Sequence, residues 1–226
     1  MIHAFSLLLL VVAVSACSNG VKEPAADAGR ELIVAAREGD LDRVRSLLES
    51  GADVDARDAT GATALVAAAY RNYVDVARRL IEAGADVNTK DETEQSAYLI
   101  ATSEVGDDPR LLELTLANGG DIDAKDSYNG TGLIRAADRG HVVIVKRLLE
   151  TEIAVDHVNR LGWTALLEAI ILGGGDPRHT AVVRLLVDAG ADVDLADREG
   201  ETPLAHARRQ GFDEMAAILE RAGAAP

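Results

Sequence analysis

Five near-copies of one pentapeptide divide the chain into units of almost constant length, and this periodicity limits the available folds more than any other feature. GADVD begins at Gly51, GADVN at Gly84, GGDID at Gly119, the degenerate EIAVD at Glu152, and GADVD again at Gly190, at intervals of 33, 35, 33 and 38. A second series, of hydroxyl residues, runs Thr63, Ser96, Thr131, Thr164 and Thr202 and keeps the same four intervals. A unit of this size cannot bury its own apolar face, so it is stable only in a stack where each unit covers its neighbour. One elongated domain is therefore expected, not several globular ones.

The two series also subdivide the unit. Each pentapeptide precedes its hydroxyl by 12 residues, whereas each hydroxyl precedes the next pentapeptide by 21, 23, 21 and 26. All length variation thus lies in the second part, which reads as two short helices. In TALVAAAYRNYVDVARRLIEAG, Ala67 and Ala68 give a slim first helix, and Val76, Leu80 and Ile81 give a helical apolar stripe. The hydroxyl is placed to cap the first helix and the Gly to end the second. The constant part, GADVDARDATGA, carries the Asp and Gly of tight turns. The predicted fold class is all-α, a solenoid of about six helix-turn-helix units joined by hairpin-like turns.

These residues resemble the ankyrin repeat. The nearest copies of that family's TPLHxAAxxGH pattern are Thr202-Pro203-Leu204 in the last unit and Ala136-Ala137-Asp138-Arg139-Gly140-His141 in the fourth. The resemblance covers Arg30 to Gly223 and places units at about 30–57, 58–90, 91–125, 126–158, 159–196 and 197–226 within a repeat domain of 30–226. It implies protein binding through the concave side, built from the hairpin tips and the exposed side of the first helices. Matched position by position, that surface contains Tyr70, Arg71, Glu92, Gln95, Tyr128, Asp138, Arg139, Arg160, Leu161, Trp163, Arg198 and Glu201. Trp163, Tyr128 and Arg160 form a candidate anchor cluster, because aromatic and Arg side chains that enter a partner's pocket dominate interface energies. The alternative for Trp163 is flat packing on the neighbouring hairpin.

The third and fifth units carry extra residues, and both insertions end alike, in Gly106-Asp107-Asp108-Pro109 and Gly174-Gly175-Asp176-Pro177. Asp followed by Pro is a helix start, with the carboxylate as N-cap and Pro in the first turn, so the longer loops are expected before the second helices. They read either as tolerated surface insertions or as a second binding edge. In the fourth unit Glu152 stands where the others have Gly, so a left-handed helix ending is not available there without strain, and this unit is expected to be a weak point.

At the other end, AFSLLLLVVAV (residues 4–14) is too short to cross a hydrocarbon core of about 30 Å but suits the centre of a secretory signal. Val14-Ser15-Ala16-Cys17 resembles the bacterial lipobox, although His3 stands in the leader where Lys or Arg is usual. The resemblance implies a signal peptide over 1–16 and lipidation of Cys17 as the new N-terminus; the small, polar, aperiodic stretch behind it reads as a flexible tether, 17–29 with Cys17. It places the protein on a bacterial envelope membrane facing the periplasm, with Ser18 favouring the outer membrane. A simple cleaved signal with an incidental Cys is the other reading.

Cys17 is the only cysteine, so the mature domain has no thiol for disulfides, thiolate metal sites or nucleophilic catalysis. The formal charge of −15 argues against nucleic acid, whose binding depends on cations against phosphate. The Asp-x-Asp pairs could suggest calcium, but from Asp53 the fifth, sixth and twelfth positions hold Arg57, Asp58 and Ala64 and fail an EF-hand loop. His141, His157, His179 and His206 show no metal-ligand spacing, and no GxSxG, P-loop or HExxH pattern occurs. The expected function is a monomeric, non-enzymatic scaffold without cofactor, binding another protein and held at the membrane by lipid on Cys17. An accessory or immunity factor for a secreted or periplasmic enzyme is the narrower version, and a ligand- or metal-responsive periplasmic sensor is the rival class.

Overall fold

The computed structural model describes residues 24–225, with side chains from Asp27 onward. Cys17 and the expected leader lie outside the described residues. Among the described residues, twelve helices alternate in two rows. The first helices of the six units are α1 (Pro24–Glu38), α3 (Ala64–Ala69), α5 (Ala97–Ser103), α7 (Gly132–Asp138), α9 (Ala165–Ile171) and α11 (Pro203–Gln210). The second helices are α2 (Leu41–Glu49), α4 (Val74–Glu82), α6 (Arg110–Ala117), α8 (Val142–Leu149), α10 (Pro177–Asp188) and α12 (Asp213–Arg221). Among the described residues there is no strand, only one isolated bridge between Lys125 and Thr131, and no helix is long and apolar enough to cross a membrane.

Each first helix packs on the first helix of the next unit and on its own second helix. That central position explains the sequence ALVAAA, whose six side chains are all buried, because small residues let three neighbouring helices approach closely. α5 is likewise buried throughout. The second helices cover only one side and are amphipathic, with Val74, Val76, Ala77 and Leu80 of α4 buried while Asp75 and Arg78 face solvent. In this outer row α6 and α8 approach each other least.

The hydroxyl series caps the first helices as expected. Thr63, Ser96, Thr131, Thr164 and Thr202 each accept from the backbone N–H three residues on, at 3.2–3.5 Å. The pentapeptide Gly ends the second helices in the left-handed region, with φ of 86° at Gly51 and 99° at Gly84. The residue after each closes the turn, as when Ala52 N–H donates to Leu47 O at 3.0 Å.

The fourth unit departs from this, as its sequence foretells. Glu152 does not adopt positive φ, and Thr151 ends α8 instead, donating from both its backbone N–H (3.0 Å) and its hydroxyl (2.6 Å) to Leu148 O. Ile153 still buries where the other units bury Ala52, Ala85 and Ala191. The weakness expected from an unrelieved Glu at a left-handed position is corrected to a different, hydroxyl-closed ending.

Two further expectations are revised. α1 begins at Pro24, inside the stretch expected to be a flexible tether over 17–29. The inserted loops do precede α6 and α10, and they brace neighbouring units. Asp107 accepts from Val143 N at 2.8 Å and Ile144 N at 3.0 Å, capping α8, whose own N-cap His141 gives no side-chain bond. Asp176 caps α10 as Asp-Pro foretells and also accepts from His179 Nδ1 at 2.8 Å, while the same ring's Nε2 lies 2.9 Å from Asp138 O in the preceding unit. At Asp108-Pro109 the N-cap position falls on Pro109, and Asp108 accepts from Arg110 N instead.

Candidate functional site

A third periodic series, which the first two conceal, sets the hairpins. Asp58, Asp91, Asp126, Asn159 and Asp197 each lie five residues before a capping hydroxyl. In every hairpin the Oδ1 atom accepts from the backbone N–H groups two and four residues ahead, as Asp126 does from Tyr128 (2.8 Å) and Gly130 (2.8 Å) and Asn159 from Leu161 (2.9 Å) and Trp163 (3.1 Å). This is the Asx-turn chemistry that closes a tight turn without a strand ladder.

The other terminal atom of each residue ties the hairpin to a first helix, and here the units differ. Asp58 Oδ2 accepts from Arg37 at 2.6 Å and Asp91 Oδ2 from the Tyr70 hydroxyl at 3.1 Å. In the last three units the partner is nine residues ahead on the unit's own first helix. Arg135 meets Asp126 at 2.8 Å, Glu168 meets Asn159 at 2.7 Å, and His206 meets Asp197 at 2.8 Å. In the second and third units that position holds Ala67 and Ile100, so the ionisable cluster is confined to the C-terminal half of the stack.

Between the fourth and fifth hairpins and the facing sides of α7 and α9 lies a pocket of about 210 Å³. Its floor is formed by Arg135, Asp126, Asn159 and Glu168, and its rim by Tyr128, Leu161 and Leu172, which are 61%, 44% and 51% exposed. Asp138 and Arg139 complete the wall. Arg135 is held on two sides, by Asp126 and by Ser103 and Glu104 at the end of α5, so its charge is compensated within the fold. Glu168 is 5% exposed and accepts only from Asn159 Nδ2. Burial, reinforced by the negative charges of Asp138 and Asp126 and opposed by the Asn159 hydrogen bond, pushes its carboxyl up to about 7.

Of the residues expected on a binding surface, Tyr128, Asp138, Arg139 and Leu161 converge on this pocket. Tyr70 and Arg71 line a separate hollow of about 390 Å³ beside Arg37 and Asp91. Tyr70 is partly engaged there, and burial together with Asp91 raises its hydroxyl above the ordinary range. Glu92 and Arg198 are exposed and Gln95 is half-buried. Arg160 lies on the neighbouring hairpin, with its backbone N–H 2.8 Å from Tyr128 O and its guanidinium 2.7 Å from Ser127 O. Trp163 is half-buried and, like Arg160, does not line the pocket, while Tyr128 and Arg160 are direct neighbours. Arg135, Glu168 and Leu172 were not foreseen. The signal that marks the first two is the position nine residues after the hairpin Asp or Asn.

Glu201 belongs to a different arrangement. Asp197, Glu201 and His206 bring one possible ligand atom each within 4.8 Å of one another, although their sequence spacing gives no metal motif. Arg209 closes this cluster, pairing with Glu201 and donating to His206 Nδ1 at 2.8 Å while His206 Nε2 faces Asp197. Burial, which would raise the Asp197 carboxyl, is outweighed by hydrogen bonds from Glu201 N–H and His206, and the carboxyl is lowered. The group thus carries its own cation.

Comparison with known proteins agrees with the architecture. A family model described as ankyrin repeats (3 copies) matches residues 8–91 and 98–197. The ankyrin repeat protein YahD of Escherichia coli is 42% identical over 195 residues, covering 86% of this chain and 96% of that protein. The crystal structure of an ankyrin repeat domain from Acinetobacter baumannii superposes with a TM-score of 0.81 at 46% identity, covering 86% of this chain and 98% of that one. The ankyrin repeat domain of Bcl-3, a member of the IkappaB protein family, follows with a TM-score of 0.75 at 27% identity and 86% coverage of each chain. Periodicity, capping, hairpin chemistry and similarity converge on one conclusion: the chain belongs to the ankyrin repeat family.

Proposed function

We propose that this chain is a non-enzymatic protein-binding scaffold, held by lipid on Cys17 at the periplasmic side of a bacterial envelope membrane, with the outer membrane favoured. There it serves as an accessory or immunity factor for a secreted or periplasmic enzyme. The observation that carries the binding reading is the pocket between the fourth and fifth hairpins, where three large apolar side chains remain exposed around a charged floor. Large apolar side chains left exposed together at a concavity mark a protein-interaction site. The address rests on the resemblance of Val14-Ser15-Ala16-Cys17 to a lipobox behind an apolar leader. Fold alone names no partner, so the site and the address carry the reading together.

Two measurements test it. Radioactive palmitate should label the wild-type chain in membrane fractions and fail to label Cys17→Ser; equal labelling of both removes the anchor. Proteins retained from envelope extract by the immobilised full chain should be lost with Tyr128→Ala or Leu161→Ala. An unchanged retained set with both variants refutes binding at this face. The rival sensory reading gains little from the Asp197, Glu201 and His206 cluster, because Arg209 already pairs with Glu201 and donates to His206 Nδ1.

A further inference from the structure

The pocket between the fourth and fifth units is chemically selective. The groups around Glu168 are Arg135 and Asp138 from α7, Arg139 directly after it, Asp126 and Asn159 from the hairpins, and Glu104 from the end of α5 beyond Arg135. Both cations are already committed. Arg135 bridges Asp126 at 2.8 Å and Glu104 at 3.2 Å, and Arg139 lies 3.7 Å from Asp138 and 4.0 Å from Glu104. That leaves two more carboxylates than cations here, and Glu168 is the carboxylate without an ion-pair partner.

We propose that this pocket is the receptor for one lysine or arginine side chain of a protein partner, its aliphatic stem lying against Tyr128, Leu161 and Leu172 and its cationic head reaching Glu168. The proposal rests on the protein-binding reading above and names the chemistry of the residue that docks there. Long cationic side chains bury their methylenes on apolar surface while keeping the charge on a polar group, and that is the order in which rim and floor are arranged. The exposed Tyr128 ring offers a face to the same cation. An acidic side chain would enter against Asp126, Asp138 and Glu168, and an apolar one would bury Glu168 further without pairing it. The whole-chain charge of −15 favours encounter with a basic surface.

Burial holds the Glu168 carboxyl at about 7, so a cation arriving near neutral pH draws off its proton, and binding strengthens as pH rises. If only the ionised form binds, the apparent affinity rises about tenfold from pH 6 to pH 8.

The test uses the full chain and three probes: n-butylammonium, n-butylguanidinium and neutral n-pentanol, titrated by amide NMR at millimolar concentrations, the range suited to fragments this small. Both cations should shift amides between Asn159 and Leu172, bind about tenfold more tightly at pH 8 than at pH 6, and outcompete pentanol. Glu168→Gln, which keeps the acceptor for Asn159, should abolish the pH dependence and most of the cation preference. Asp138→Asn should weaken the cations less and leave the pH dependence in place. Equal binding of pentanol, shifts centred elsewhere, or a Glu168→Gln titration matching wild type would overturn the proposal. Loss of partner capture with Tyr128→Ala beside such a result would show that the face binds protein through other chemistry.

Discussion

A carboxylate chosen for binding a cation should weaken the free protein, and Glu168 permits a quantitative test. Its folded carboxyl sits at about 7 against an ordinary 4.5. A raised folded value means that the folded state holds more protons than the unfolded state between those limits. Wild-type stability therefore falls as pH rises from about 4.5 to about 7 and stays lower above that. At about 1.36 kcal/mol per pH unit, the part of this loss between pH 5 and pH 8 comes to about 2.5 kcal/mol. The carboxyl lines an open pocket, so screening reduces this, and about 2 kcal/mol is expected. Glu168→Gln has no proton to lose and keeps the Asn159 hydrogen bond, so its stability relative to wild type should grow by that amount over the same interval. The carboxyls of Asp58, Asp108, Asp176 and Asp197 are lowered, so their contributions change in acid and are common to both proteins. Urea melts at half-unit pH steps would show the effect as a midpoint advantage of about 1 M for the variant at pH 8, shrinking towards pH 5. Parallel pH profiles for the two proteins would refute both the burial of this charge and its cost to the free fold.

Three other substitutions probe the stack. A Cβ on Gly132 would lie 2.7 Å from the hydroxyl of buried Tyr98 and 2.9 Å from Thr102 Cγ2, so Gly132→Ala should destabilise by about 1–3 kcal/mol despite its better helix propensity, and Tyr98→Phe should recover part of that in a thermal melt. Asp107→Ala removes the only side-chain cap on α8 and should cost about 1 kcal/mol, with faster hydrogen exchange at Val143 and Ile144; unchanged exchange there would mean the inserted loop braces nothing. Glu152→Gly adds chain entropy without relieving a left-handed residue, so denaturant melts should show a neutral to slightly destabilising change of up to about 1 kcal/mol, and a clear stabilisation would refute the hydroxyl-closed ending at Thr151.

The sequence by itself determined the number of units, the class of both helices in each, the hydroxyl caps, the left-handed glycine endings and the location of the insertions. It could do so because these features are local: a cap joins residues three apart, a helix ending joins residues three and five apart, and repetition prints each rule several times over. The same locality made the hairpin Asp and Asn series legible in principle, since each bonds backbone within four residues of itself. What only the tertiary structure decided are the contacts between units. Asp107 capping α8 from 36 residues away is one, and His179 reaching Asp138 O across 41 residues is another. The candidate site is a third. Tyr128, Arg135, Leu161 and Glu168 come from two units, and their convergence depends on how far one unit is rotated and shifted on the next. That step is set by the packed faces of α7 and α9, where side-chain shape decides the geometry, and no local rule encodes it. Trp163 shows the same limit. Its repeat position marks it for exposure, yet the stack leaves it half-buried and puts Leu172 on the pocket rim.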